Sequence, residues 1–269
     1  MTDTQNKGTA LITGASTGIG AVYADRLTKR GYDVVLVARS ADKLGTLADR
    51  LKSESGRSVE VLVADLNAKP DLQRVAEKLT DDTSITMLVN NAGLGAMSPL
   101  ISSDFGAMEE MIGLNVTALT RLAHAVIPGF VARGGGTLIN ISSIVAIAPE
   151  LMNGVYGGTK AYVVALSQSI QHELGDKGVR VQAVLPGATG TPFWDIAGYP
   201  ASNFPADFVM TPEDMVDASL AGLDQGEIIT IPALPDLDEW NRYEFARRDM
   251  SARLSNIVPA GRYGIRAAA

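Results

Sequence analysis

Short runs of Val, Ile, Leu and Ala recur along the chain, separated by longer stretches in which apolar residues return every three or four positions. The short runs fall at 9–13, 33–38, 59–64, 87–90, 137–142, 179–185 and 227–231. Most are continuously apolar, as expected of parallel strands covered on both faces. The helix-period stretches occupy roughly 18–30, 41–54, 70–80, 104–133, 154–176 and 211–224. Gly31 stands where a left-handed cap would end the first helix. Thr211-Pro212-Glu213-Asp214 supplies a cap, a first-turn proline and acids for a helix amino terminus. Strand–helix alternation without a break in composition predicts an α/β fold, a single doubly wound domain over 1–269 with a mostly parallel sheet and helices on both faces.

Two segments stand outside this alternation. The stretch 188–210 is rich in Pro, Gly and aromatic residues. It exceeds the roughly 12–15 residues beyond which loops are usually lids or disordered, and its aromatics predict a lid over a substrate. The tail, 232–269, carries Trp240, Tyr243 and Phe245, and between 240 and 269 it holds six Arg against two acids, read as a solvated helix face.

Composition narrows the function classes. Hydrophobic residues make up 46 % of the chain, enough for a sizeable core. With 23 basic and 30 acidic side chains the formal charge is −7, a field that repels phosphate backbones and anionic lipid. Nucleic acid and membrane are therefore not expected partners. The absence of cysteine excludes disulfides and thiolate metal sites, and His124 and His172, on separate helices, are read as structural or solvated, so no metal is expected. Residues 1–7 are polar and a strand follows at once, leaving no room for a signal peptide. No apolar stretch approaches the roughly 18–20 residues of a membrane helix. The expected location is cytoplasmic.

The first strand runs into Thr13-Gly14-Ala15-Ser16-Thr17-Gly18-Ile19-Gly20 and then a helix. Glycines there permit a sharp turn and close approach to a pyrophosphate at the helix amino terminus. The second strand ends Val37-Ala38-Arg39-Ser40, with no acid before Asp42. An acid at that place serves a ribose 2′-hydroxyl; Arg39 instead fits a 2′-phosphate through forked, charge-assisted hydrogen bonds, so the expected cofactor is NADP(H). The third strand closes on Ala64-Asp65-Leu66 and the fourth on Asn90-Asn91-Ala92-Gly93, both at strand ends where open α/β sheets bind ligands. Asp65 is expected to face the adenine amino group.

Tyr156 and Lys160 lie at i and i+4, one turn apart on one helix face. A phenol titrates near 10, and a neighbouring ammonium lowers that value toward the working range. Gly157 and Gly158 inside the helix cost about 1 kcal/mol each, which implies close approach to something. Asn140-Ile141-Ser142-Ser143 closes the fifth strand on the same sheet edge, and Asn115 sits mid-helix, where an amide is better used as a ligand of water or backbone.

Residues 13–20, Asn90-Asn91-Ala92-Gly93, Asn115, Ser143, Tyr156-x-x-x-Lys160 and Pro186-Gly187-x-x-x-Thr191 together resemble the ordered motif set of the short-chain dehydrogenase/reductase family. The resemblance spans residues 9 to about 191. It implies a Rossmann-type domain with a seven-stranded sheet, an oxidoreductase acting on carbonyl or alcohol groups, and a homodimer or homotetramer built on the two long helices. It selects Ser143 over the runner-up Ser142. It makes Tyr156 the proton donor and acceptor, Ser143 the partner of the substrate oxygen, and Lys160 the group that binds the nicotinamide ribose and depresses the phenol pKa. Asn115 would hold a water linking Lys160 to solvent. Gly14, Ser16, Thr17, Gly18, Ile19, Gly20, Arg39, Asp65, Leu66, Asn91, Ala92 and Gly93 would bind the adenosine and pyrophosphate side, with Pro186, Gly187 and Thr191 at the carboxamide.

The substrate is expected above Ser143 and Tyr156, between the loop 188–210 and the tail. Phe193, Trp194, Ile196, Tyr199, Phe204 and Phe208 form one wall, and Leu94, Val145, Leu151 and Met152 the other, which favours an apolar ketone, aldehyde or secondary alcohol. The glycine-rich turn of many tetrameric members is replaced by Thr230-Ile231-Pro232-Ala233-Leu234-Pro235-Asp236. A β-ketoacyl carrier-protein reductase would share the same catalytic residues, a non-catalytic dinucleotide sensor would not need them together, and a sugar-nucleotide epimerase would need a longer substrate domain.

Overall fold

Alternate residues of each strand face opposite sides of the sheet, and both sides are apolar. Ala10, Ile12, Val34 and Leu36 pack with Leu27, Leu44, Leu51 and Leu220 on one side. Leu11, Val35, Val37 and Leu88 pack with Val75, Leu122, Val126 and Phe130 on the other. This two-sided burial is why the strands read as continuous apolar runs. The computed structural model describes residues 7–265, so most of the polar amino-terminal segment lies outside the described residues.

The strands are β1 (Thr9–Thr13), β2 (Asp33–Ala38), β3 (Val59–Val63), β4 (Ile85–Asn90), β5 (Gly136–Ile141), β6 (Val179–Val184) and β7 (Ile229–Thr230). They form a seven-stranded sheet of order β3-β2-β1-β4-β5-β6-β7, with every neighbouring pair parallel. Strand order reverses between β1 and β4, the place where doubly wound sheets open a crevice at their carboxyl ends. β7 is shorter than the run that predicted it. Pro232 follows it without an N–H to extend the ladder.

The helices are α1 (Gly18–Lys29), α2 (Ala41–Ser55), α3 (Lys69–Asp81), α4 (Phe105–Ile112), α5 (Leu119–Ala132), α6 (Gly154–Leu174), α7 (Phe193–Ile196), α8 (Pro212–Gln225) and α9 (Leu237–Ser251). Gly31 takes φ +97° just past α1, and Thr211 Oγ1 accepts from Asp214 N at 3.0 Å to cap α8, both as read from sequence. The stretch expected as one helix, 104–133, is interrupted: Gly113–Ala118 is a π-helical segment joining α4 to α5. Against expectation, the 28-residue run Phe105–Ala132 is long and apolar enough to cross a membrane by length and composition. Its apolar residues are not confined to one face: Leu122, Val126 and Phe130 fill the core, whereas Phe105 and Ile112 are exposed.

The chain divides into two compact units, Met1–Pro232, which holds the sheet, and Ala233–Ala269. In the second unit Asp236 caps α9 by accepting from Asp238 N at 2.9 Å. Glu244 pairs with Arg247 at 2.6 Å and Arg248 at 2.7 Å, and Arg253 pairs with Asp249 at 2.6 Å. Much of the arginine excess is thus engaged along its own helix.

Candidate active site

A cavity of about 850 Å³ opens along the carboxyl ends of β1, β2, β3, β4, β5 and β6. The turn after β1 is built by glycines at Gly14 (φ +65°) and Gly18 (φ +54°), a left-handed backbone that other residues rarely adopt. Its fit is internal as well. A Cβ on Gly14 would lie 2.9 Å from Ala92 Cα, and one on Gly18 would lie 2.9 Å from Thr191 Cγ2. The turn therefore locks onto the loops after β4 and β6. Thr13 Oγ1 accepts from Asn91 N and Ala92 N, each at 3.0 Å, while Asn91 Nδ2 donates to Thr13 O at 2.8 Å and Gly14 O at 3.2 Å. The Asn91 side chain is a strut for the turn.

The α1 amino terminus reaches this cavity with Thr17 making no side-chain cap and no acid in the first turn. Its orphan N–H groups and positive dipole end suit an anion. Arg39 lies on the cavity wall, exposed, with no hydrogen-bond or ion-pair partner among the described residues. Asp65 and Leu66 also line the wall. The Asp65 carboxylate accepts from Asn67 N at 3.0 Å, an Asx turn that fixes the loop after β3.

At the other end of the cavity α6 brings Tyr156 and Lys160 together, each 5 % exposed. Asn153 caps this helix, its Oδ1 accepting from Val155 N at 2.9 Å. Lys160 Nζ lies 5.7 Å from the Tyr156 ring centroid and donates to Ile141 O at 2.9 Å. Burial pulls the Lys160 ammonium down to about 8. Burial also pushes the Tyr156 phenol above its ordinary range, and a hydrogen bond with Ser143 pulls the other way. Loss of solvent around the ring thus outweighs the Ser143 hydrogen bond, and the net direction is opposite to the lowering expected from the Lys160 spacing. The two adjacent serines separate by geometry: Ser142 Oγ donates to Lys160 O at 2.8 Å and is tied to the helix backbone. Ser143 faces Tyr156, with only long 3.4 Å bonds besides, donating to Pro186 O and accepting from Val145 N.

Asn115 is fully buried behind this group and is not on the cavity wall. Its Oδ1 accepts from Leu94 N at 2.9 Å, and its Nδ2 donates to Leu94 O at 2.8 Å and Thr159 Oγ1 at 3.1 Å. The side chain clamps backbone and has no donor left over for water. Gly93 is small because Asn115 Oδ1 and Lys160 Nζ would stand 3.3 and 3.5 Å from a Cβ there. Gly20 is likewise off the wall, its Cβ position being 2.4 Å from Gly14 O. The other expected residues, Gly14, Ser16, Thr17, Gly18, Ile19, Ala92, Gly93, Pro186, Gly187 and Thr191 among them, line the one cavity. Of the two helical glycines, Gly157 meets Pro149 Cβ at 3.1 Å as its cost implied, but Gly158 meets nothing within 4 Å.

The segment 188–210 closes on itself. A parallel bridge joins Thr189 to Met210, with Gly190 N donating to Met210 O and Met210 N to Ala188 O, each at 2.9 Å. Above that neck the aromatics form a chain of ring contacts, Tyr156–Phe193 at 6.0 Å, Phe193–Trp194 at 5.3 Å and Trp194–Phe204 at 4.8 Å. Leu94, Val145, Leu151 and Met152 form the facing wall. Tyr199 is not on the cavity wall; it packs on Phe204 at 4.9 Å. His124 and His172 are exposed on α5 and α6.

A family model for short chain dehydrogenases matches residues 8–197. The chain belongs to that family. A short-chain dehydrogenase from Sphingobium yanoikuyae, solved in complex with NADPH, is 45 % identical with a TM-score of 0.92, covering 95 % of this chain and 99 % of that one. A bulky-bulky ketone specific alcohol dehydrogenase from Comamonas testosteroni is 42 % identical with a TM-score of 0.88, covering 96 % of this chain and 99 % of that one. An oxidoreductase of Staphylococcus saprophyticus is 32 % identical over 232 residues, 86 % of this chain and 97 % of its own length.

In this short-chain dehydrogenase two polar residues beyond those read from sequence reach the cavity beside Arg39. They are Ser40, the cap of α2, and Lys43 in its first turn. The signal for Lys43 was available: a cation three residues past an N-cap sits on the first turn of the helix that starts at the Arg39 end of the sheet.

Proposed function

We propose that the enzyme transfers a hydride between NADP(H) and a bulky, apolar ketone or the matching secondary alcohol. The observation that carries this reading is that one cavity holds the unpartnered Arg39, the buried Ser143–Tyr156–Lys160 group and the aromatic segment 188–210. The ketone class is supported by the similarity to the Comamonas enzyme and NADPH by the similarity to the Sphingobium complex.

The residues fit a dinucleotide. The uncapped α1 terminus with Ser16, Thr17, Gly18 and Ile19 would take the pyrophosphate, and Arg39 with Lys43 a 2′-phosphate. Asp65, Leu66, Asn91, Ala92 and Gly93 would flank the adenosine side; Tyr156 and Lys160 would hold the nicotinamide ribose, and Pro186, Gly187 and Thr191 the carboxamide. When bound, the nicotinamide supplies or takes the hydride. The chain does the rest. Ser143 Oγ hydrogen-bonds the substrate oxygen as negative charge develops there. The Tyr156 hydroxyl gives that oxygen a proton in reduction and takes one back in oxidation. Lys160, cationic at neutral pH because its pKa stays near 8, stabilises the phenolate that Tyr156 becomes. A water relaying protons to Lys160 would rest on the Asn115 main chain, which the π segment shifts out of the α ladder, because its side chain is spent on Leu94 and Thr159. The test is NADPH consumption against aryl ketones, small ketones and acyl thioesters. Turnover confined to thioesters would favour a carrier-protein reductase, and tight NADPH binding with no turnover a sensor.

Lys160 also sets a pH dependence. Its pKa is pulled down, so its charge is lost as pH rises through about 8, and kcat/KM for reduction should be flat below that value and fall above it. A profile that stays flat to pH values near the ordinary lysine range, about 10, would show that the Lys160 charge is not required. The assembly expected is a homodimer or homotetramer seated on α5 and α6. A Cβ on Gly158 of α6 meets nothing within 4 Å in its own chain, so bulk added there leaves the packing of its own chain unstrained. Gly158→Arg should sediment as a monomer where the unmodified enzyme sediments as an oligomer; unchanged sedimentation would move the contact elsewhere.

A further inference from the structure

Phe193, the first residue of α7, is held in an unusual seat. Its ring tip fills the place where a side chain on Gly95 would be. A Cβ there would lie 2.2 Å from Phe193 Cζ and 3.0 and 3.1 Å from Cε1 and Cε2. No real Cβ contact is that short, so any residue but glycine forces one partner to move.

Neighbouring contacts decide which partner moves. The backbone beside Gly95 is fixed, because Asn115 grips Leu94 at both N–H and C=O, at 2.9 and 2.8 Å. The ring has freedom in one direction only. Tyr156 stands on one side at 6.0 Å and Trp194 meets it edge-on at 5.3 Å. Trp194 is itself buried and donates from Nε1 to Thr189 O at 2.8 Å, so it does not retreat. The remaining side is the cavity that Phe193 lines.

We propose that Phe193 is a specificity-determining residue: seated in the Gly95 notch, its ring is drawn back from the cavity and leaves room beside Tyr156 for the second bulky group of a ketone. The proposal rests on the reading of Tyr156 as the proton donor and deepens it, by assigning the space next to the reacting carbon to a pair of residues from two loops. A ketone with one small group needs no such space. A ketone with two large groups needs the Phe193 ring kept out of that space.

The test uses two ketones that share a phenyl ring and differ in the second substituent, acetophenone with a methyl and valerophenone with a butyl chain. Gly95→Ala pushes the Phe193 ring toward the cavity, and should lower kcat/KM for valerophenone by about tenfold while changing that for acetophenone by less than about threefold. Gly95→Ala/Phe193→Leu, whose shorter side chain does not reach the added methyl, should recover at least the ratio of the unmodified enzyme and match Phe193→Leu alone. Equal losses on both ketones, or a double variant that restores nothing, would overturn the proposal. Phe193→Leu alone leaves the Gly95 backbone intact and keeps the test usable if Gly95→Ala does not fold: it should raise the valerophenone-to-acetophenone ratio, and an unmoved ratio overturns the proposal. An unmodified enzyme that reduces neither ketone sinks the proposed reaction and this inference together. One that reduces both, with ratios unmoved in every variant, sinks only the role of Phe193.

Discussion

Replacing Tyr156 with Phe is expected to lower kcat for ketone reduction by about 10³-fold, within the range typical of a lost general acid, while NADPH affinity changes by less than about threefold. The change removes one oxygen and leaves the ring in place. That ring packs with Ala96, Met108, Met111 and Val145, and those contacts are unaffected by the hydroxyl. Its partner Ser143 keeps the Pro186 carbonyl as a hydrogen-bond acceptor, so no buried donor is orphaned. The variant should therefore fold and melt as the unmodified enzyme does. Single-turnover kinetics beside a fluorescence titration with NADPH separate chemistry from binding. Ser143→Ala, which removes the group that steadies the substrate oxygen, should lose less, since Tyr156 still donates. Turnover in Tyr156→Phe within tenfold of the unmodified enzyme would remove this tyrosine from the reaction.

The sheet was legible because burial on both faces writes itself into continuous apolar runs, and because Gly31 and Thr211 mark helix ends by local chemistry alone. The grouping of Tyr156 with Lys160 was legible for a similar reason, a helical period that needs no tertiary information. What sequence hid depends on where hydrogen bonds go in three dimensions. Asn91 looks like a cofactor ligand in the sequence, yet it spends its amide on the turn after β1, and Asn115, read as a ligand of water or backbone, spends its amide on Leu94 and Thr159. Neighbouring Ser142 and Ser143 are chemically alike until the fold ties the first to the Lys160 carbonyl. The π segment at Gly113–Ala118 has no local signature, because its residues sit inside a helical pattern. The phenol of Tyr156 shows the same limit in its electrostatics: spacing shows the nearby ammonium, but only burial shows that desolvation dominates.

Arg39→Ala should weaken NADPH binding by about 10- to 100-fold, the equivalent of a charge-assisted hydrogen bond worth roughly 1.5–3 kcal/mol, and leave NADH binding within about twofold. The asymmetry follows from position. Arg39 stands at the end of β2, where the chain offers no acid to a ribose hydroxyl, and among the described residues nothing else engages its guanidinium. Because the side chain is exposed, part of its attraction is screened, and the loss should shrink as salt is raised. Lys43, on the same wall, supplies a second charge. Removing both cations should therefore bring the two cofactors closer in affinity than Arg39→Ala alone. Arg39→Asp goes further, placing at the strand end the acid that suits a 2′-hydroxyl; it should raise NADH affinity while lowering that for NADPH. Paired titrations of both cofactors check all three variants. If Arg39→Ala weakens both equally, the arginine acts on a part they share. If it weakens neither, the 2′-phosphate has no partner at this strand end and the assignment of NADP(H) falls with it.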